Sequence, residues 1–475
     1  MNRGRPLLLP VRLSSLRLCS FGLCFFGICP SRFLRLRLTL FLPLGLSVSL
    51  PLVAAPPALA ARLAATVGME GEQDRSLRER PAASRSALEG RLGLRLEASS
   101  SLAARLDARL LHDAQDPERD RLRLDEGYAR AAFGAWEATL GRQILDWGRL
   151  DALRAVDVFR RRDWIDPIDP LDQGSWAARV DRYQGAVTLE GIWIPRFEPD
   201  RIPFRSENPF SLFPDSISLP QGTFPARFEN GGAREPSPSA LGSEAGLRAD
   251  LRLGVWDAGL SLARSRERIA SVYEFLAPAR AGGDGVASIR TRGVHRSLWM
   301  FGLDFARPAG GSTVHAEAAL FDPDRAGGES PGAIAPDRPF LRAGIGWERG
   351  LPHGLLGRPL RLSGTYAFDQ AARRPRLDDG GDPAILGHPF RHAALLRVRW
   401  ETGTDVAIET ESLLDLGRGG ESLLARVIWS PWSSTRLEAE IRSISGGPAS
   451  LLGRYRENDS IRIRASYAFS ASKGS

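Results

Sequence analysis

The sequence predicts an all-β fold: a transmembrane antiparallel β-barrel of about 16 strands (14–18) with a short helical insert. Three observations predict it. Apolar and polar residues alternate along most of the chain, the alternating runs are about 9–13 residues long, and aromatic residues gather near their ends. A period of two marks a strand whose faces meet different surroundings. Runs of ~9–11 residues cross a bilayer, whereas soluble strands average ~5–6. Trp136, Trp193, Trp256, Trp299, Trp347, Trp400, Trp429 and Phe469 stand where barrels carry interfacial girdles. A soluble sandwich also alternates, but here the polar face is filled with Arg and Glu, which need water or partners across a lumen.

The N-terminal segment bears on the compartment. In residues 35–60, Arg35 and Arg37 form a basic n-region, Leu38 to Val53 an apolar h-region, and Ala58-Leu59-Ala60 a cleavage site. That pattern is a secretory signal peptide processed after Ala60, within a leader of residues 1–60. A signal anchor is the alternative, and Pro56-Pro57 argues against its continuous helix. Of the 64 basic residues seven lie in the leader, which has no acid; the remaining 57 face 56 acidic residues, a net charge of +1. The high isoelectric point therefore gives no support to nucleic-acid binding. Cys19, Cys24 and Cys29 all lie in the leader, so the processed chain has no thiol, disulfide or cysteine metal site. Residues 61–85 read as a polar, poorly ordered periplasmic lead-in.

The barrel is expected over 86–469. Its runs are 86–98, 100–112, 121–133, 134–145, 184–194, 246–254, 256–264, 294–306, 312–321, 338–349, 358–370, 389–401, 404–415, 420–430, 433–445 and 459–469. In the first, Leu88, Leu92, Leu94 and Leu96 oppose Glu89, Arg91, Arg95 and Glu97. Later, Leu341, Ala343, Ile345 and Trp347 oppose Arg342, Glu348 and two glycines, and Leu396, Val398 and Trp400 oppose Arg397, Arg399 and Glu401. The last run, with Ile461, Ile463, Ala465, Tyr467 and Phe469, resembles the terminal strand read by the barrel-assembly machinery, and a tail of 470–475 follows. Gly-, Pro- and Asp-rich stretches at 195–245, 265–287, 322–337, 371–388 and 446–458 read as outer loops, and 307–312 and 402–405 as periplasmic turns. Residues 146–183 break the scheme. By this count the insert falls on the periplasmic side, unless a strand is hidden between 146 and 245.

That insert follows the motif GRQILDWGRLDALRAVDVFRRRD, with LEGIWIP further on. Gly141, Arg142, Gln143, Trp147 and Gly148, then Asp157, Phe159 and Asp163, then Trp193-Ile194-Pro195 resemble a proteobacterial outer-membrane barrel family of unknown function with a G-R-Q-x-x-x-W-G run. Arg161 stands where that pattern has proline. The resemblance implies a porin-like or export-associated barrel and names no substrate. On the residues themselves, Leu150, Leu153, Val156 and Phe159 fall three apart, as the apolar stripe of a short helix. Arg142, Asp146, Arg149, Asp151, Arg154, Asp157, Arg160, Arg161, Arg162 and Asp163 are the candidate lumen constriction. Glu89, Arg91, Arg95, Glu97, His315 and Glu317 are the candidate lumen wall. Opposed charges across a narrow lumen filter solutes; the alternative is that they pair with the wall and brace it.

An enzyme is not expected. No G-x-S-x-G, H-E-x-x-H or Gly-rich phosphate loop occurs, and no nucleophile pairs with His315 and Glu317. Asp322, Asp324 and Asp337, and Asp378, Asp379 and Asp382, match no EF-hand spacing, so no metal or other cofactor is expected. The sequence thus points to a porin-like barrel for passage or export of solutes across a Gram-negative outer membrane. Its partners would be outer-membrane lipid and the assembly machinery, with an inner-membrane transporter if it belongs to a lipid or polymer export system, and no nucleic acid. A structural or adhesive surface barrel is the other alternative.

Overall fold

The computed structural model describes residues 37–41, 47–51, 62–77, 85–114, 119–167, 169–204, 208, 210–213, 216–219, 222–233, 242–270, 272–275, 280–281, 286–324, 338–372, 383–447 and 450–473. Residues 1–59 are a unit of their own, in which Arg37–Phe41 pairs antiparallel with Ser47–Pro51. The proposed cleavage site, the three cysteines and Asp337, Asp378, Asp379 and Asp382 lie outside the described residues.

The second unit is a closed barrel of 18 strands, each paired with its neighbours in sequence. They are β1 (Arg62–Ser76), β2 (Arg85–Ser99), β3 (Leu102–Asp113), β4 (Arg121–Phe133), β5 (Trp136–Gln143), β6 (Ser175–Gln184), β7 (Val187–Ile194), β8 (Glu244–Leu253) and β9 (Trp256–Arg266). Then follow β10 (Ser297–Ala309), β11 (Ser312–Pro323), β12 (Phe340–Leu351), β13 (Leu360–Asp369), β14 (His392–Glu401), β15 (Val406–Asp415), β16 (Gly420–Trp432), β17 (Thr435–Gly446) and β18 (Ser460–Lys473). β18 closes antiparallel on β1, from Ser460 opposite Ser76 to Lys473 opposite Leu63. Every wall strand is thereby paired on both sides, the condition for backbone to cross lipid.

Two strands exceed the expected sixteen, and each escaped notice for a reason. β1 occupies the stretch read as a disordered lead-in; beyond Met69 its outward positions are Gly71, Gln73 and Arg75, so its alternation fades. β6 lies inside the range assigned to the insert, and only Trp176, Ala178 and Val180 mark its outer face. This is the hidden strand that moves the insert to the same face as the other long connections. β18 also runs to Lys473 rather than stopping at Phe469, because its pairing with β1 continues.

The alternation sorts as a membrane barrel requires. Leu122 and Leu140 on the outer face are 77% and 68% exposed, while Met300 and Asp304 on the inner face are at 0%. An exterior of Leu, Val, Ile and Phe around a closed barrel is the surface that lipid selects. Trp136, Trp256, Trp347 and Trp429 sit toward the end that carries the short turns, and Trp176, Trp193 and Trp299 toward the opposite end.

All long connections leave one end, here the loop face; both barrel termini lie at the other, the turn face. At the loop face Gly222–Ala233, from the connection after β7, pairs in parallel with Ala287–Val294, from the connection after β9. Ser216–Leu219, Val272–Phe275 and Arg280–Ala281 complete a five-stranded sheet. Phe213 stacks between Phe204 and Phe228, with centroids 4.8 and 4.9 Å away, and Tyr455 meets Phe210 edge-on. Tyr455 follows the helix Leu451–Arg454, capped by the Ser450 side chain. Three connections thus share one apolar cap.

The expected insert helix is not formed. Leu153 has a left-handed φ of 56°, and the segment continues into two short antiparallel strands, Arg161–Asp163 and Leu171–Gln173. The backbone amides that a helix would bond internally are taken instead by a wall carboxylate, described next.

Candidate functional site

The segment 144–174 crosses the lumen from β5 back to β6, and three kinds of contact hold it. The first is a single acid. Glu317, on the inner face of β11, accepts the backbone N–H groups of Leu150 at 2.7 Å, Ala155 at 2.8 Å and Val156 at 3.3 Å, and that of Arg149 as well. Hydrogen bonds to an ionised carboxylate are about twice as strong as neutral ones. Gly148 precedes this knot with φ +106°, and a side chain there would run into the Glu317 carboxylate, so the motif requires glycine.

The second is apolar. Leu150, Val156 and Phe159, three of the four stripe residues, are buried against the wall. The wall receives them at glycines on inward positions. A Cβ at Gly246 would lie 2.5 Å from Trp147 and 2.6 Å from Phe159, one at Gly302 2.9 Å from Val156, and those at Gly344 and Gly346 2.6 and 2.7 Å from Leu150. Trp147 meets Phe159 edge-on at 4.9 Å and donates its indole N–H to Glu190. Leu153, turned by its positive φ, lines the open lumen instead.

The third is charge. Arg149 bonds Asp304 at 2.6 Å and Asp250 at 2.8 Å, and Arg248 bridges the same two acids. Arg154 pairs with Asp146; Arg160 pairs with Asp172 at 2.5 Å and Asp157 at 3.5 Å. Arg142 and Arg161 share Glu198, at 3.1 and 2.8 Å, and Arg162 approaches Asp157 and Asp172 at 3.8 and 3.9 Å. Asp163 takes Arg121 of β4 and Arg201, and Asp166 takes Arg462 of β18 at 3.0 Å and Arg442 of β17 at 3.6 Å. The segment is therefore tied to opposite sides of the wall. Asp151 makes no ion pair among the described residues and faces the lumen.

The strap leaves space on both sides. A cavity of ≈ 350 Å³ lies against β1–β4 and β18, where Glu89 and Arg91 face Asp163, Asp166 and Asp169. A larger one of ≈ 1100 Å³ lies against β11–β17. It begins at the turn Pro308–Thr313, passes Asp151, Asp169 and Asp172 of the strap opposite Arg397, Arg399 and Arg426 of the wall, and ends at Pro389 and Phe390 on the loop face. Arg397 pairs with Glu411 at 2.5 Å and Arg426 with Glu440 at 2.6 Å, while Arg399 bonds Glu409.

Of the candidate wall residues, Glu317 is an anchor, and Arg91, which pairs with Glu89 and, at 3.2 Å, with Glu70, lines the smaller cavity together with Glu89. Arg95 and Glu97 pair with each other at 2.9 Å toward the turn face and do not meet the strap. His315 shares the inner face with Glu317 but reaches Glu348, at 3.7 Å. Sequence reasoning missed Asp304, Asp250, Arg248 and Asp166, and the socket glycines. Glycine at inward parity was the one available signal for the sockets. Enclosure within the barrel and the neighbouring Asp166 push the Asp169 carboxyl above its ordinary value. Burial likewise raises Asp157 and Asp200.

No protein-family model matches this sequence, and no curated protein does. Similar solved structures include Acinetobacter baumannii OccAB3, at 9% identity over 86% of this chain and 99% of that one, with a TM-score of 0.47. A BenF-like porin from Pseudomonas fluorescens Pf-5 gives 9%, 87%, 99% and 0.47, and Pseudomonas aeruginosa OccK5 (OpdH) gives 9%, 87%, 98% and 0.46. At such identity no side chain of the strap or its sockets carries over.

Proposed function

We propose that this chain is a porin-like channel of the Gram-negative outer membrane, passing small hydrophilic solutes without catalysis, with the strap as its constriction. One observation carries the reading: beside the strap a cavity of ≈ 1100 Å³, lined by opposed arginines and carboxylates, extends from the turn Pro308–Thr313 to Pro389 and Phe390 beneath the loop-face cap. Barrels of 16–18 strands are wide enough for an aqueous channel. The charged strap narrows it, and opposed arginines and carboxylates there would act on each solute's charge and dipole. In this reading the turn face is periplasmic and the loop face external.

Single-channel recording in planar bilayers tests it. The purified barrel is expected to give discrete conductance steps alone. A barrel silent until supplied with an inner-membrane partner would instead be an export component, and one silent under all conditions a structural or adhesive protein.

A further inference from the structure

The charges along the larger cavity are not equivalent. We infer that the ion selectivity of this passage is set by two of them, Arg361 of the wall and Asp151 of the strap, and that the arginine–carboxylate rows around them contribute little. The inference rests on the channel reading proposed above and names the residues that carry its selectivity.

Most charges that line the cavity are held in pairs. On the wall Arg397 takes Glu411 at 2.5 Å, Arg426 and Arg442 share Glu440 at 2.6 and 3.1 Å, and Arg399 bonds Glu409. On the strap Arg160 takes Asp172 at 2.5 Å, and Asp169 lies 3.7 Å from Arg462. Two opposite charges in contact act at a distance only as a dipole, and 0.1 M salt screens what remains within ~10 Å. Arg361 and Asp151 differ. Both line the cavity, and neither has an ion pair or hydrogen bond among the described residues. Arg349 also touches the cavity mouth, but it follows Glu348 in the alternation and stands on the outer face.

Position separates the two groups. Arg361 shares the inner face of β13 with Ser363 and Thr365, and stands in register between Arg399 of β14 and Gly350 of β12. Like charges directly opposite one another destabilise a sheet, so Arg361 does not brace the wall. Gly350 brings no side chain to cover it, and Glu348, two residues away on β12, turns to His315 at 3.7 Å. Asp151 follows Leu150, whose side chain fills the socket at Gly346. Gly346 lies four residues deeper than Gly350 along β12, about 13 Å at ~3.3 Å per residue. A solute entering from the turn face thus meets an unpaired cation and then, deeper, an unpaired anion.

Reversal potentials in planar bilayers, measured across a potassium chloride gradient, test the assignment. Arg361→Gln should lower the anion-to-cation permeability ratio about threefold, the effect of one charge acting through water at roughly 6 Å. Asp151→Asn should raise the ratio by a similar factor. Arg397→Gln combined with Glu411→Gln, which removes two charges as a pair, should move it far less. Heat-modifiable migration on gels verifies that each variant is folded. A paired variant that shifts the ratio as far as Arg361→Gln does, or a ratio that Arg361→Gln and Asp151→Asn leave unmoved, would overturn the inference and leave the channel reading intact. Absence of conductance steps from the unaltered barrel would sink that reading and the inference with it.

Discussion

Asp169 and Glu317 show how differently two lumen carboxylates are used. Asp169 opens onto both cavities, and its carboxyl is shifted upward, so it takes up a proton at a higher pH than an ordinary aspartate, above ~3.9. The arginines around it stay charged throughout. Acidification from neutral pH therefore removes negative charge from the passage and leaves the positive charge, and anion preference should rise. Reversal potentials across a salt gradient check this; Asp169→Asn should show the raised preference already at neutral pH and lose part of the response to acid. Glu317 is instead saturated by backbone donors. Sequence parity assigned it to the inner face beside His315 but gave it no role, because the Leu150 amide it accepts lies 167 residues earlier in the chain. No local pattern encodes such a pairing.

At the scale of elements, the wall strands were legible because each has two solvents, and the ones that were missed are those where that contrast is weakest. β1 trails into glycine and glutamine on its outer face, and β6 offers only three apolar outward residues before Arg182. The strap misled for another reason. Apolar residues three apart suit a helix, but Leu150, Val156 and Phe159 also reach successive glycine sockets from an irregular chain, and bonds to Glu317 replace the helical ones. Each buried apolar side chain contributes roughly 1.5–3 kcal/mol, so filling a socket should free that part of the strap. Gly344→Leu and Glu317→Gln are each expected to raise single-channel conductance and its fluctuation, and deletion of 149–172 to raise it by roughly twofold or more. Unchanged conductance after that deletion would mean that the strap only braces the wall.

For the whole molecule, closure is the property on which the rest depends. Eighteen strands meet without an edge, an apolar belt faces outward, and arginine–carboxylate ladders face a lumen divided by one segment. The sequence carried the barrel class and the turn and loop alternation from the sixth expected run onward, but it set the insert over 146–183 on the periplasmic side by count, because β6 was hidden within it. It did not carry the loop-face cap, because the parallel pairing of Gly222–Ala233 with Ala287–Val294 joins two connections that have no shared local signal. No native cysteine lies beyond Cys29, so single cysteines placed in the wall strands can report on closure directly. The decisive measurement is reaction of a membrane-impermeant maleimide with cysteines placed one at a time in the bilayer-embedded protein. Cysteines replacing Leu94, Ile345 and Val398 should stay unlabelled, while those replacing Arg397 and Glu411, on the same wall, should react. Labelling of the first set as fast as the second would contradict a lipid-facing exterior and a water-lined interior.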